Sequence, residues 1–185
     1  MKLFIATVFG LALLCGQAQA KDAFDGIKCG GDIPKALIGK TIPDGTAVKI
    51  EEAHKAIGLK DEGADEINDN LQMAAWTICG ASYDMLVGNN SHIYDVLAFP
   101  AHARPTPEFS GICQRDGKDL PDTIYAVLDN KKGFDPDTSH HSMAGPPLPA
   151  IVAWHIDEKK RKFVAVPVAG LLCPRSGIFT VDGGA

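Results

Sequence analysis

The chain has 185 residues, of which 18 are basic and 23 acidic, so its formal net charge at pH 7 is −5. Its acidic residues are scattered rather than gathered in a tail. This balance argues against nucleic acid or an anionic membrane as partner, because both are bound by basic patches.

The first twenty residues predict a cleaved signal peptide. Lys2 provides the basic start, residues 3–14 are apolar, and Ala18-Gln19-Ala20 fits the small-x-small rule for cleavage. We expect the mature chain to begin at Lys21, which leaves 185 − 20 = 165 residues. That length suits one globular domain. No later stretch is long and apolar enough to span a bilayer, so we predict a periplasmic or secreted protein without stable membrane insertion.

Four cysteines remain in the predicted domain, residues 21–185. They are Cys29, Cys79, Cys113 and Cys173, an even number that predicts two disulfides in an exported chain. A zinc site is the alternative, but zinc ribbons bring their ligands in close C-x-x-C pairs and these four are widely spread. We predict the pairs Cys79–Cys113, between neighbouring strands, and Cys29–Cys173, between the two ends of the domain.

The chain up to residue 70 is predicted to contain one short helix. Residues 21–44 are rich in turn formers and predict a strapping segment. Ile50, Ala53 and Ile57 then recur at helical spacing, and Gly58 follows where a C-terminal cap belongs. We therefore predict a helix from Ile50 to Ile57. The acidic, glycine-containing residues 60–70 predict a solvated loop.

Residues 71–99 predict three successive strands. Trp76, Thr77 and Ile78 favour a first strand over residues 71–78. Apolar residues then alternate in two runs separated by Gly88-Asn89-Asn90-Ser91, a sequence suited to a tight hairpin turn.

Two more hairpins are predicted further along the chain. Asp116-Gly117 is a strong turn signal between residues 111–115 and 123–128, and a charged turn at residues 158–161 separates residues 151–157 from 162–168. Together the elements predict a mainly β fold, on the margin of α+β. We expect a single antiparallel sheet or small barrel of about seven to eight strands, with one short N-terminal helix and two disulfides.

Several side chains are candidates for binding. Arg104 and Arg175 each lie beside a proline, and an arginine held in that way suits a carboxylate or phosphate on a partner. The alternative is that each pairs with an acidic neighbour. His102 shares the loop of Arg104, and His155 alternates with apolar residues in a strand, so we expect it on the wetter face.

Residues 135–141 contain side chains of the types that bind metals. His140 and His141 follow Asp135 and Asp137, residue types that bind divalent metals. Adjacent histidines on a long polar loop are not preorganised for one ion. We therefore expect a solvated loop there, with no metal and no cofactor.

Two acidic residues, one in each strand of the hairpin around the turn at residues 88–91, are spaced so that they could form a carboxylate pair. If the turn closes at Gly88 and Ser91, Asp84 lies directly opposite Asp95. Like charges at such positions, with Cβ atoms about 4.5–5.5 Å apart, repel each other. A shared proton, a cation, a basic neighbour or water would relieve that repulsion. Because the other face of the hairpin is more apolar, we expect solvated or ion-paired carboxylates, with an acid–base pair or metal seat as the alternative.

The sequence contains no catalytic or cofactor motif of the G-x-S-x-G, H-E-x-x-H, phosphate-loop or haem-attachment type. An even cysteine count also leaves no free thiol for cysteine catalysis. We predict a non-enzymatic binding protein, an inhibitor or immunity-type partner of another exported protein. The reason is that a rigid, disulfide-linked β domain with long loops can display recognition residues on those loops. The alternatives are a small hydrolase that uses strand-borne Asp and His residues, and a small-ligand carrier with a β-barrel cavity.

Overall fold

The computed structural model describes residues 22–99, 108–129, 146–174 and 178–179. Strands dominate these residues, which confirms the mainly β prediction. The predicted single sheet or barrel is wrong, because the strands form two separate antiparallel sheets. Across the described ranges, none of the helices combines the length and the apolar character that a bilayer crossing requires.

Two short helices lie in the N-terminal part. Helix α1 (Ile33–Leu37) begins after Asp32, whose side chain accepts the backbone N–H of Lys35 as an N-cap. Helix α2 (Ala47–Ala53) is followed by one 3₁₀ turn, Lys55–Ile57, and Gly58 then adopts a left-handed conformation with φ 58°. The prediction of one helix is wrong in number, because α1 is also present. The predicted helix is present as α2, but it begins at Ala47 and ends at Ala53, and Gly58 caps the 3₁₀ turn that follows it.

Sheet A is a four-stranded antiparallel meander in the order β1-β2-β3-β4. Its first strand occupies the predicted solvated loop, so that prediction is wrong. The acidic segment pairs its backbone with the next strand while most of its side chains stay exposed, as charged edge strands do. The strands are β1 (Lys60–Asn68), β2 (Leu71–Ile78), β3 (Ala81–Gly88) and β4 (Ile93–Ala98).

A β-bulge sets the register between β3 and β4. The backbone N–H of Gly88 donates to the carbonyl of His92 at 3.0 Å next to the turn. Val87 pairs with Ile93, but the next pair is Leu86 with Asp95, which leaves one extra residue in β4. The register predicted from a turn closed at Gly88 and Ser91 would pair Val87 with His92, so it is already wrong by one residue at the Val87–Ile93 pair. The extra residue then shifts every later pair by one more.

Sheet B has the order β12-β5-β8-β9-β11-β6-β7, and β10 pairs with β9. The predicted turn at Asp116-Gly117 is present, but it joins only β6 and β7, while β8 pairs with β5 and β9. The predicted hairpin around residues 158–161 is confirmed as β9–β10. The strands are β5 (Glu108–Gly111), β6 (Gln114–Arg115), β7 (Lys118–Asp119), β8 (Ile124–Leu128), β9 (Leu148–Asp157), β10 (Lys162–Ala165), β11 (Leu171–Cys173) and β12 (Ile178–Phe179).

Residues 22–45 form an N-terminal strap along β4. The backbone N–H of Gly39 donates to the Ile93 carbonyl at 2.9 Å, and the N–H of Ile93 donates to the Lys40 carbonyl at 2.8 Å. Thr41 adds an isolated bridge to His92. The strapping segment predicted from the turn-rich sequence is therefore present, and its backbone extends the hydrogen bonding of sheet A beyond β4.

Both faces of sheet A are covered, and β3 is buried on each side. One face packs against the strap and α2, in a core that includes Phe24, Leu37, Trp76 and Met85. On the other face, the buried side chains contact partly buried residues of sheet B, in a cluster that includes Leu71, Met73, Leu86, Tyr125, Ile156 and Phe163. Sheet A therefore lies between the N-terminal segment and sheet B.

All four predicted cysteines form disulfides, but the predicted pairing is wrong. The bonds are Cys29–Cys79, with Cα atoms 5.5 Å apart, and Cys113–Cys173, with Cα atoms 4.3 Å apart. Cys79 lies at the turn after β2 in sheet A, whereas Cys113 immediately precedes β6 in sheet B. The division into two sheets separates the predicted partners. The Cys29–Cys79 bond joins the strap to sheet A, and the Cys113–Cys173 bond joins the residue before β6 to the end of β11 in sheet B.

Candidate functional site

A cavity of about 290 Å³ lies between the inner face of sheet A and the segment that contains α2. Ala74, Trp76 and Val87 line it from β2 and β3, and Ile42 and Ile50 line it from the opposite side. Ala74, Trp76 and Val87 share one face of the sheet, because Gln72 pairs with Val87 and side chains alternate along a strand. Together with Ile42 and Ile50, these side chains form the apolar part of the cavity wall.

Polar groups enter the same cavity from loops and from the sheet. Asp44, Gln72 and Ser91 line it, as does Asp61, which lies directly opposite Trp76 in the β1–β2 ladder. One oxygen of Asp61, Oδ1, accepts the backbone N–H of Gly63 at 2.9 Å. The lining therefore combines apolar side chains with a comparable polar surface, and small-molecule sites also bring polar groups together with apolar walls.

Trp76 is the largest side chain in the wall of the cavity and is only 4% exposed. Its ring centroid lies 5.0 Å from that of Phe24, with the planes tilted by 45°. Its buried indole Nε1 has no oxygen or nitrogen acceptor among the described residues. A buried donor left in this state costs about 1–3 kcal/mol, so packing against Phe24 and the rest of the core must offset that cost.

Asp22, Asp25 and His54 form a second cluster at the edge of the strap, with one ligand-type atom of each within 4.8 Å of the others. His54 Nε2 lies 2.8 Å from Asp22 Oδ2. The other carboxylate oxygen, Oδ1, accepts the backbone N–H groups of Phe24 at 2.8 Å and Asp25 at 3.0 Å. These bonds close the turn and hold the strap to the end of α2, which gives the cluster a structural role. Sequence reasoning missed it because 32 residues separate the two hydrogen-bonded side chains.

The predicted carboxylate pair is not formed by direct opposition. Asp84 pairs with Leu97 and Asp95 pairs with Leu86, so the two acids are diagonal neighbours in the ladder. Asp84 is 9% exposed, and Asp95 Oδ2 accepts the backbone N–H of Phe163 at 2.9 Å. The outward orientation predicted for the pair is therefore wrong, because sheet B covers the face that was expected to contact water.

Of the remaining predicted site residues, only His155 lies among the described residues, and it does not line the cavity. His155 is half-buried in β9, and its Nδ1 lies 3.6 Å from Asp122 Oδ2. The other predicted binding residues, His102, Arg104 and Arg175, lie outside the described residues, as do the candidate metal ligands Asp135, Asp137, His140 and His141. Their roles stay predictions.

Burial changes the ionisation of one side chain next to the core. Tyr83 is 8% exposed, and desolvation raises the pKa of its hydroxyl above the ordinary value of 10.0. At the β9–β10 turn, hydrogen bonds from Lys160 lower the pKa of Asp157, and the same contact raises the pKa of Lys160. Tyr83, Asp157 and Lys160 do not line the cavity.

Sequence reasoning did not find the cavity, although it recognised some of its parts. Trp76 was identified as a strand residue and Asp44 as part of a turn, but Asp61 was assigned to a solvated loop. Their convergence depends on the pairing of β1 with β2 and on the position of α2. The chain matches no protein-family model, and no curated protein or solved structure is detectably similar to it.

Proposed function

We propose that this chain is an exported, non-enzymatic binding protein that holds a small molecule in the cavity between α2 and sheet A. The observation that carries the proposal is the cavity itself, with Trp76 in an apolar wall and Asp44, Asp61, Gln72 and Ser91 around it. An apolar cavity with a few convergent polar groups is the ordinary form of a ligand site. The two disulfides are compatible with export, since they persist in oxidising compartments.

The size of the cavity limits the ligand. The volume of the cavity is about 290 Å³. This is near the lower end of the range for small-molecule pockets, roughly 300–1,000 Å³. The expected ligand is therefore a small metabolite with both apolar and polar parts.

Trp76 allows binding to be measured directly. The sequence has two tryptophans, Trp76 and Trp154, so Trp154→Phe leaves the cavity residue as the sole indole reporter. We expect members of a metabolite library to change its emission and to raise the melting temperature, because a ligand that binds only the folded state stabilises it.

A variant that fills the cavity provides the decisive comparison. Ala64 is exposed on β1 and lines the cavity, so Ala64→Phe should block it with little effect on the core. Ala165→Phe, at an exposed position on β10, is the matched control. The proposal predicts that ligand responses disappear in Ala64→Phe and persist in Ala165→Phe. Equal responses in both variants, or none in the parent protein across the library, would overturn it.

Binding of another exported protein is the second candidate function. Ile112, Ile151 and Leu172 are 43%, 41% and 42% exposed. Leu172 pairs with exposed Pro149 and Gln114, which places it on the outer face of sheet B. Exposed apolar surface is a feature of protein interaction sites. This candidate predicts a copurifying protein whose binding is lost in Leu172→Glu and retained in Val48→Glu, a change at an exposed position on α2.

A further inference from the structure

We infer that the cavity selects a small organic cation, an inference that rests on the proposed function and adds the charge of the ligand. Two of the residues that line the cavity, Asp44 and Asp61, carry a carboxylate, and the described lining includes no Lys, Arg or His. An occupant of this cavity would therefore meet negative charge and no compensating positive charge from its walls.

Among the residues that the structure describes, none forms an ion pair with either carboxylate. Within the described ranges, the basic residues nearest in the sequence are Lys40 and Lys49 for Asp44 and Lys60 for Asp61. Lys40 does not line the cavity, and Lys60 pairs with Glu62 at 3.3 Å. Lys49 is exposed on α2 and does not line the cavity. Asp61 keeps one carboxylate oxygen after accepting the N–H of Gly63 through Oδ1. An opposite charge on a ligand would therefore gain attraction, and an anion would be repelled.

The aromatic and aliphatic wall determines what kind of cation fits. Trp76 provides the ring type that attracts cations most strongly, and burial reduces competition from water. Ile42, Ile50 and Val87 contribute apolar surface to the same cavity. A hydrated metal ion gains nothing from such a wall, because its water would lose hydrogen bonds there. An ammonium group that carries methyl or methylene groups can contact both the carboxylates and the hydrocarbon.

Three probes of similar shape separate charge from size. These are choline, its neutral carbon isostere 3,3-dimethyl-1-butanol, and the anion 3,3-dimethylbutanoate, each titrated against the Trp154→Phe protein at low salt. We expect choline to bind at least about tenfold more tightly than the neutral alcohol, a factor within the range of cation–π and carboxylate contacts. We expect the anion to bind most weakly.

Charge removal then tests the two carboxylates. Asp44→Asn combined with Asp61→Asn should reduce choline affinity at least about tenfold and leave the affinity for the neutral alcohol unchanged. Asp65→Asn is the matched control, because Asp65 lies on the same strand but pairs with Met73 on the opposite face of sheet A. Its choline affinity should equal that of the parent.

The outcomes distinguish the inference from the proposed function. Tighter binding of choline that depends on Asp44 and Asp61 supports both. Equal or tighter binding of the alcohol or the anion overturns the inference, whereas the small-molecule function stands because the cavity is occupied. If none of the three probes binds, the cation inference fails, and the library comparison with Ala64→Phe decides the proposed function separately.

Discussion

The carboxylate of Asp95 accepts a hydrogen bond from the backbone N–H of Phe163, with 2.9 Å between Asp95 Oδ2 and the Phe163 nitrogen. Asp95 belongs to β4 of sheet A and Phe163 to β10 of sheet B, so this bond joins the two sheets. Next to it, the guanidinium carbon of Arg161 lies 4.2 Å from the centroid of the Tyr94 ring. This cation–π contact joins the turn before β10 to β4. The sheet interface therefore has polar contacts in addition to its apolar core.

Asp95→Ala should lower the free energy of unfolding by about 1–3 kcal/mol, because it leaves the part-buried N–H of Phe163 without its acceptor. Asp95→Asn should retain most of the stability, since its amide oxygen can accept the same bond. Chemical denaturation measures both changes. Asp65→Ala, at an exposed position on β1, is the control and should change stability by less than about 0.5 kcal/mol. Equal stability of Asp95→Ala and the control would contradict the proposed link.

Gly88→Ala should destabilise the β3–β4 hairpin by about 1–3 kcal/mol, the usual cost of overpacking. A Cβ at this position would lie 2.8 Å from Tyr94 Cε2 and 3.1 Å from the Tyr94 hydroxyl, so the ring must move. The ring also contacts His92 edge-on, with centroids 4.9 Å apart. A double-mutant cycle with Tyr94→Ala tests the mechanism. The combined loss should be smaller than the sum of the single losses, and strict additivity would rule out the steric explanation.

The two disulfides should differ in their rate of reduction. Cys113 and Cys173 are both 0% exposed, whereas Cys29 is exposed and Cys79 is half-buried. A reductant therefore reaches Cys29–Cys79 first. Timed reduction, followed by alkylation and peptide mass spectrometry, should label Cys29 and Cys79 before the other two.

The same experiment tests the connectivity, since non-reduced peptides should link Cys29 to Cys79 and Cys113 to Cys173. Replacing Cys29 and Cys79 together by serine removes a crosslink between residues 50 apart. The free energy of unfolding should then fall by about 4 kcal/mol at most, the value that the chain-entropy model assigns to a loop of that length. Simultaneous labelling of all four cysteines would contradict the difference in burial.

Tyr83 should ionise at higher pH than a free tyrosine, because burial raises the pKa of its hydroxyl. The raised pKa contributes stability that is fully present below the unfolded-state pKa near 10 and is lost as pH rises through the higher folded-state value. The absorbance of tyrosinate reports the titration, and the protein has three tyrosines. Tyr83→Phe should remove one titration step that lies above pH 10, and its stability should fall less than that of the parent above pH 10. Identical alkaline unfolding of the two proteins would contradict this prediction.

Local sequence patterns predicted several elements correctly for local reasons. The strand at residues 71–78 corresponds to β2, the turn at Asp116-Gly117 is present, and Gly58 caps the segment after α2. Each depends on neighbouring residues: strand propensity, the positive φ values of 53° and 72° at the turn, and the φ of 58° at the cap. Acidic β1 was missed because its side chains favour solvent, and only pairing with β2 makes it a strand.

The sequence by itself determined the mainly β class, the presence of two disulfides and the approximate positions of α2 and most of the strands of sheet A. Only the tertiary structure decided the division into two sheets, the cysteine pairs, the β3–β4 register that separates Asp84 from Asp95, and the convergence of Asp44 and Asp61 beside Trp76. Side-chain period and turn chemistry are properties of neighbouring residues. Pairing between distant segments instead depends on which apolar faces can be buried together, and that is a property of the whole folded chain.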